Sequence, residues 1–235
     1  MSRILHIDTS TNVCSVAISE NSKVIASKET HERRSHASVL ATFIDSCLQN
    51  AGFSVSQLDA IDVCKGPGSY TGLRIGVSTA KGLCYGSSLP LISVDSLSML
   101  THKVVQTNKD LIENKDVWFC PMIDAKRSEV YTAFYDCNIE RKVPINAVVL
   151  TYDSFKDILN KRMVYCFGNG AEKAKDILRH HNVRYIDNIY PSADSMVAEA
   201  EKLYKHRQFE DVAYFEPLYL KDFIPTKPKN KILKE

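Results

Sequence analysis

The chain has no surplus of charge of either sign: 30 lysines and arginines stand against 28 aspartates and glutamates, a formal net charge of +2 over 235 residues. Binding nucleic acid by field strength alone needs a far more basic balance, so any RNA contact must come from a local patch or through a partner. The seven cysteines (14, 47, 64, 84, 120, 137 and 166) are scattered and form no C-x-x-C. That excludes a zinc ribbon or a thioredoxin-type site and leaves thiols used as small hydrophobes in a reducing cytosol. The seven histidines (6, 31, 36, 102, 180, 181 and 206) make no H-E-x-x-H, and no G-x-S-x-G elbow occurs. A metallopeptidase or a serine hydrolase therefore has no signature here, and His180 and His181, being adjacent, would face different directions on a helix. No apolar stretch approaches the roughly 20 residues that span a bilayer. Met1-Ser2-Arg3 leads directly into a strand-like run with no charged and apolar leader. The expectation is a cytoplasmic protein without a membrane contact, a bound metal or a cofactor.

What is present suits a large globular domain or two lobes: 44% hydrophobic and 25% charged residues. Residues 4–7 and 13–18 read as a hairpin around Asp8-Thr9-Ser10-Thr11-Asn12, with a third strand near 23–27. Apolar residues at 39, 40, 43, 44, 47 and 48 predict an amphipathic helix over 35–50, ended by Gly52. A short strand at 61–64, a helix reaching about Tyr85, a strand at 91–94 and a helix from Ser96 to about Val105 capped by Asp95 complete a first lobe over 1–105. The polar stretch 106–116 marks the boundary. A second lobe over 117–222 holds a strand pair at 117–123 and 129–135, a strand at 163–167, a helix at 171–179 and a helix from Ala193 to about Lys205. Its last helix has the option of packing back on the first lobe. Residues 223–235, with two prolines and four lysines, read as a flexible basic tail. Ile7-Asp8 and Ile123-Asp124 open turns of equal length that return through similar strands, which favours two related α/β lobes.

Glycine is sparse, nine in all, yet six lie between residues 66 and 86. Gly66-Pro67-Gly68 makes a strand-to-helix corner, and Ser69 or Thr71 can cap the helix that follows. The spacing fails the nucleotide tests: Gly72 is followed by Leu73 instead of lysine, and Thr71 stands where a dinucleotide fingerprint needs glycine. Within the helix, Gly72, Gly76, Ala80 and Cys84 form a stripe of small residues at four-residue spacing. Such a stripe admits close packing, either inside the chain or against a partner helix.

The runs Ile4-Leu5-His6-Ile7-Asp8-Thr9-Ser10, Gly66 to Gly76, Asp124-Ala125-Lys126-Arg127-Ser128-Glu129-Val130-Tyr131, Gly168-Asn169-Gly170 and Pro217-Leu218-Tyr219-Leu220 occur in the order of the TsaB (YeaZ) family. The chain resembles that family over nearly its whole length, with Lys221 replacing a more usual arginine. The resemblance implies an α/β, actin-like (ASKHA, ribonuclease H-like) two-lobe fold with mixed sheets. It further implies a non-catalytic scaffold and activator beside TsaD, the larger paralogue that transfers a threonylcarbamoyl group to the adenosine following the anticodon of ANN-decoding tRNAs. A TsaE-like ATPase joins the pair, and tRNA is met through the complex. In the TsaD pattern a helix here carries two metal-binding histidines four apart; Ser96 and Leu100 stand at those places and His102 is out of register.

Two sets of candidate site residues follow. The helices at 35–50 and 72–85 are those TsaB-like proteins present to TsaD, which nominates Val39, Leu40, Phe43, Ile44, Gly72, Gly76, Ala80 and Cys84 as a partner interface; alone, the same surface would form a homodimer. Asp8, Thr9 and Ser10 with Asp124, Gly168 and Gly170 are either a vestigial nucleotide set or polar turns satisfying their own backbone, the second being favoured because no glycine follows Asp124. Arg33-Arg34 with His36 and the tail lysines 227, 229, 231 and 234 are candidate phosphate contacts or plain solvated charge. The alternatives from other classes are a self-sufficient actin-like ATPase or kinase and a metallopeptidase-like protein.

Overall fold

The computed structural model describes residues 1–32 and 36–221. The expectations placed on Arg33-Arg34 and on the tail 223–235 lie outside the described residues.

Two five-stranded mixed sheets make the fold. The first contains β1 (Arg3–Asp8), β2 (Cys14–Glu20), β3 (Lys23–Thr30), β4 (Ala60–Gly66) and β5 (Leu91–Asp95), in the order β3-β2-β1-β4-β5. The β1–β2 and β2–β3 pairs are antiparallel; β1–β4 and β4–β5 are parallel. β5 is buried at every residue, and β1 and β4 at all but one, the pattern of strands covered on both faces. The second sheet contains β6 (Trp118–Asp124), β7 (Glu129–Tyr135), β8 (Arg141–Val149), β9 (Val164–Phe167) and β10 (Val183–Ile186), in the order β10-β9-β6-β7-β8. Read from its other edge, it repeats the first sheet strand for strand, so the similarity between the Asp8 and Asp124 turns is one part of a duplicated, actin-like topology.

Helices α1 (His36–Ala51) and α2 (Tyr70–Ser87) lie side by side on one face of the first sheet, burying Leu40, Ile44, Val77 and Ala80 against Leu5, Val16 and Ile61. Helix α3 (Ser96–Thr107) covers the other face and reaches both sheets: Met99 packs with Ile4 and Ile92, while Leu97, Leu100 and Val104 pack with Phe119, Tyr135 and Phe167. Asp95 caps it, accepting from the amides of Leu97 at 3.2 Å and Ser98 at 2.8 Å. In the second half, α4 (Lys156–Leu159) and α5 (Ala171–Ile177) are short, and a 3-10 turn at Ala193–Met196 leads into α6 (Val197–Lys205). This last segment returns to the first sheet, placing Ala193, Met196 and Ala200 against Ile4, Ala17 and Val94. Helix α3 thus contributes to the cores of both lobes, and α6 packs on the first. Beyond α6 the chain crosses the first lobe again: the Glu210 amide donates to Leu91 O at 2.8 Å, which covers the open edge of β5. No helix among the described residues is long and apolar enough to cross a membrane.

The face of the first sheet beneath α6 also carries a polar row among its apolar residues. His6 Nδ1 meets Asp62 Oδ2 at 2.8 Å, and His6 Nε2 meets Ser19 Oγ at 2.8 Å, a buried row across β4, β1 and β2. At its side Glu199 of α6 accepts from Ser98 Oγ. Burial, with Asp95 and Asp62 nearby, pushes the Glu199 carboxyl up to about 7. A carboxyl raised on folding stabilises below its unfolded value and loses that contribution as pH rises through its folded value. The expected outcome for Glu199→Gln is an unchanged melting temperature at pH 5 and a higher one than the parent at pH 8, measured by a thermal scan at each pH.

Candidate functional site

Where the two sheets face each other, the β1–β2 turn and the start of α2 stand opposite the β6–β7 and β9–α5 turns. They enclose a cleft of about 370 Å³, lined among others by Ser10, Asn12, Ser69, Tyr70, Asp124, Lys126, Tyr131 and Asn169. The glycine run shapes its first-lobe wall. A Cβ at Gly68 would lie 2.1 Å from Ser10 O, one at Gly72 2.1 Å from Thr9 O, and one at Gly76 2.3 Å from Thr9 Oγ1. Only glycine lets the β1–β2 turn lie directly on the corner and the first two turns of α2. The contact is locked by Ser69 N donating to Ser10 O at 2.7 Å and Thr9 Oγ1 donating to Gly72 O at 2.7 Å. Ser69 is the helix cap, its Oγ accepting from Gly72 N at 3.3 Å.

This geometry corrects the reading of the small-residue stripe. Gly72, Gly76, Ala80 and Cys84 all face inward and are buried, and what approaches them closely is the chain's own turn and sheet. Leu40 and Ile44 are likewise core residues. Of the eight nominated interface positions only Val39 and Phe43 keep exposed surface, at the margin of that core. The outer side of α2 carries a different small stripe, Ser78, Gly82 and Gly86, all exposed. A Cβ at Gly82 or Gly86 would meet nothing within 4 Å. Sequence spacing gives both stripes equally; only burial distinguishes the one the fold consumes from the one it leaves outside.

The nominated nucleotide set is also divided. Ser10 and Asp124 reach the cleft, but Asp8 and Thr9 do not line it. Asp8 is fully buried and turned onto its own hairpin, accepting from Ser10 N at 2.9 Å, and burial pushes its carboxyl up. Asp124 is engaged within the lobe: Lys173 Nζ donates to it at 2.5 Å and Lys126 N at 2.7 Å. Burial opposes its charge, yet these contacts hold its carboxyl below the usual range. Gly168 and Gly170 do not face the cleft; they let the β9–α5 turn press on β6, where a Cβ at Gly168 would sit 2.4 Å from Met122 O. Asn169 between them does line it and accepts from Asp124 N at 3.0 Å, a residue the sequence reading passed over.

The two positions compared with metal-binding histidines are occupied by packing. Ser96 Oγ donates to Pro67 O at 2.6 Å, and Leu100 is fully buried among Phe119, Ile123 and Phe167. Among the described residues no group of three or more His, Cys, Asp or Glu side chains is placed to hold a metal ion.

Fold and cleft define a duplicated actin-like protein whose first acidic turn is folded into its own core and whose second is neutralised by a lysine of the same lobe. The family model described as "TsaD: tRNA N6-adenosine threonylcarbamoyltransferase" matches residues 22–224. The tRNA threonylcarbamoyladenosine biosynthesis protein TsaB of Escherichia coli (strain K12) is 28% identical over 236 residues, covering 96% of this chain and 97% of its own. TsaB of Haemophilus influenzae is 34% identical over 132 residues, covering 54% of this chain and 51% of its own. The solved structure of YeaZ from Pseudomonas aeruginosa matches the fold with a TM-score of 0.82 at 23% identity, covering 94% of this chain and all of that one. The chain belongs to the TsaD family, among its TsaB (YeaZ) members.

Proposed function

We propose that this chain is a non-catalytic scaffold and activator of a TsaD-like transferase, in the complex that places a threonylcarbamoyl group on the adenosine following the anticodon of ANN-decoding tRNAs. It acts by forming a heterodimer with that transferase, a TsaE-like ATPase joins the pair, and the tRNA is met through the complex. The observation that carries the docking part of this reading is the outer face of α1 and α2. Gly82 and Gly86 each weaken an exposed helix by about 1 kcal/mol relative to alanine, and no contact within the chain requires them. On α2, half-buried Ile75, Thr79 and Leu83 flank that stripe; on α1, Val39 and Phe43 are half-buried, with Phe43 beside Lys28 of β3. A partner helix laid along Ser78-Gly82-Gly86 would gain close backbone approach and bury these side chains. The inward side of the same helix is already used, so the interface proposed here consists of Val39 and Phe43 with the outer stripe, in place of Gly72, Gly76, Ala80 and Cys84.

The cleft weighs against the self-sufficient ATPase or kinase, since Asp8 faces its own hairpin and Asp124 is paired with Lys173. Size-exclusion chromatography with the cognate transferase tests the docking. A one-to-one complex is expected, and a homodimer of the chain alone is expected to dissolve when the transferase is added. Separate elution of the two proteins at micromolar concentration would refute it.

A further inference from the structure

The β1–β2, β6–β7 and β9–α5 turns and the start of α2 are each held by hydrogen bonds to their own lobe. The remaining wall of the interlobe cleft is different. It is the segment 217–221, whose residues Leu218, Tyr219, Leu220 and Lys221 all line the cavity. One main-chain bond ties it to the first lobe, from Leu218 N to Lys65 O at 2.8 Å. The rest of its hold is side-chain contact at half-exposed positions. The Tyr219 ring stacks on Tyr70 with centroids 4.9 Å apart, and its hydroxyl accepts from Arg74 Nε at 3.3 Å. On the far side Lys221 pairs with Glu129 and stands 5.5 Å from the centre of the Tyr131 ring. Tyr70 and Arg74 belong to α2 in the first lobe; Glu129 and Tyr131 belong to β7 in the second.

We propose that residues 217–221 form a releasable strap that crosses the cleft from α2 to β7 and controls access to it. The arrangement suits that role. α3 already joins the two sheets through buried apolar contacts, so the fold does not depend on the strap to stay together. The Lys221–Glu129 pair and the Tyr219–Tyr70 ring contact are side-chain contacts at partly exposed positions, so the strap opens at far lower cost than global unfolding. Lys221 places its ammonium over the ring of Tyr131, which lines the cavity from β7.

Tyr131 is therefore the reporter. Acetylation by N-acetylimidazole, read residue by residue by peptide mass, compares the parent chain with Tyr219→Ala/Lys221→Ala. Tyr152, 76% exposed, is the internal standard for reagent, and fully buried Tyr135 is the standard for global loosening. The expected result is at least a fivefold faster modification of Tyr131 in the variant, with Tyr152 and Tyr135 unchanged. Equal Tyr131 rates in the two proteins would overturn the proposal, and so would a rise at Tyr135 in step with Tyr131. Lys221→Gln alone, which removes the ion pair without touching the core, is the second variant and is expected to give an intermediate rate.

Discussion

Replacing His6 with alanine is expected to destabilise the fold by about 3–5 kcal/mol, because it leaves a buried carboxylate without its counter-group. The His6 and Asp62 side chains are both 0% exposed. Asp62 Oδ2 is held by His6 at 2.8 Å, and Asp62 Oδ1 has no other partner. Burial pushes the Asp62 carboxyl up, and the histidine opposes that shift. Without His6 the carboxyl rises further, so the deficit follows the raised-acid sign, smaller at pH 5 than at pH 8. Urea midpoints at the two pH values measure this directly. The double variant His6→Ala/Asp62→Ala is expected to recover part of the loss, since it removes the stranded charge as well as its partner. Equal stabilities of the single variant at both pH values would contradict the assignment.

The second large effect separates the two glycine stripes of α2. Gly82→Leu is expected to leave the melting temperature unchanged or slightly raised, because leucine favours a helix over glycine by about 0.5–1 kcal/mol and the site opens to solvent. Its affinity for the transferase is expected to fall at least a hundredfold, since the added side chain stands where the partner helix would approach. Gly76→Leu has the opposite profile. Its Cβ alone would lie 2.3 Å from Thr9 Oγ1, and overpacking of this kind typically costs about 1–3 kcal/mol. Any loss of binding in that variant would come with a lowered melting temperature. Calorimetric titration beside a thermal scan distinguishes the two, and full-affinity binding by a folded Gly82→Leu protein would remove α2's outer face from the interface.

Much of this architecture was legible in the sequence because it rests on local rules. The alternation around Asp8 and Asp124, the Asp95 cap and the glycine corner after β4 each follow from spacing and backbone chemistry. β8 and β10 were not. β8 is an edge strand carrying Pro144 and exposed charges, and β10 is only four residues long, so neither shows the apolar pattern of a buried strand. The stripes on α2 were ambiguous for another reason. Gly72-Gly76-Ala80-Cys84 and Ser78-Gly82-Gly86 have the same periodicity, and choosing between them requires knowing that Thr9 arrives from 63 residues away. For Asp8 the sequence already favours a polar turn satisfying its own backbone, and the bond from Ser10 N agrees; what it does not show is the turn seated on Gly68. The strap is illegible for the same cause, because Tyr219 meets Arg74 across 145 positions of sequence.

The central claim is that this chain enables a partner's chemistry through the α1–α2 face and performs none itself. Reconstitution of tRNA threonylcarbamoylation from purified components tests it most directly, with this chain omitted, supplied as parent, or supplied as Gly82→Leu. The account predicts modified tRNA only when both the parent chain and the transferase are present, with the Gly82→Leu protein close to the omitted control. Modification at full rate without the chain, or by the chain without the transferase, would contradict it.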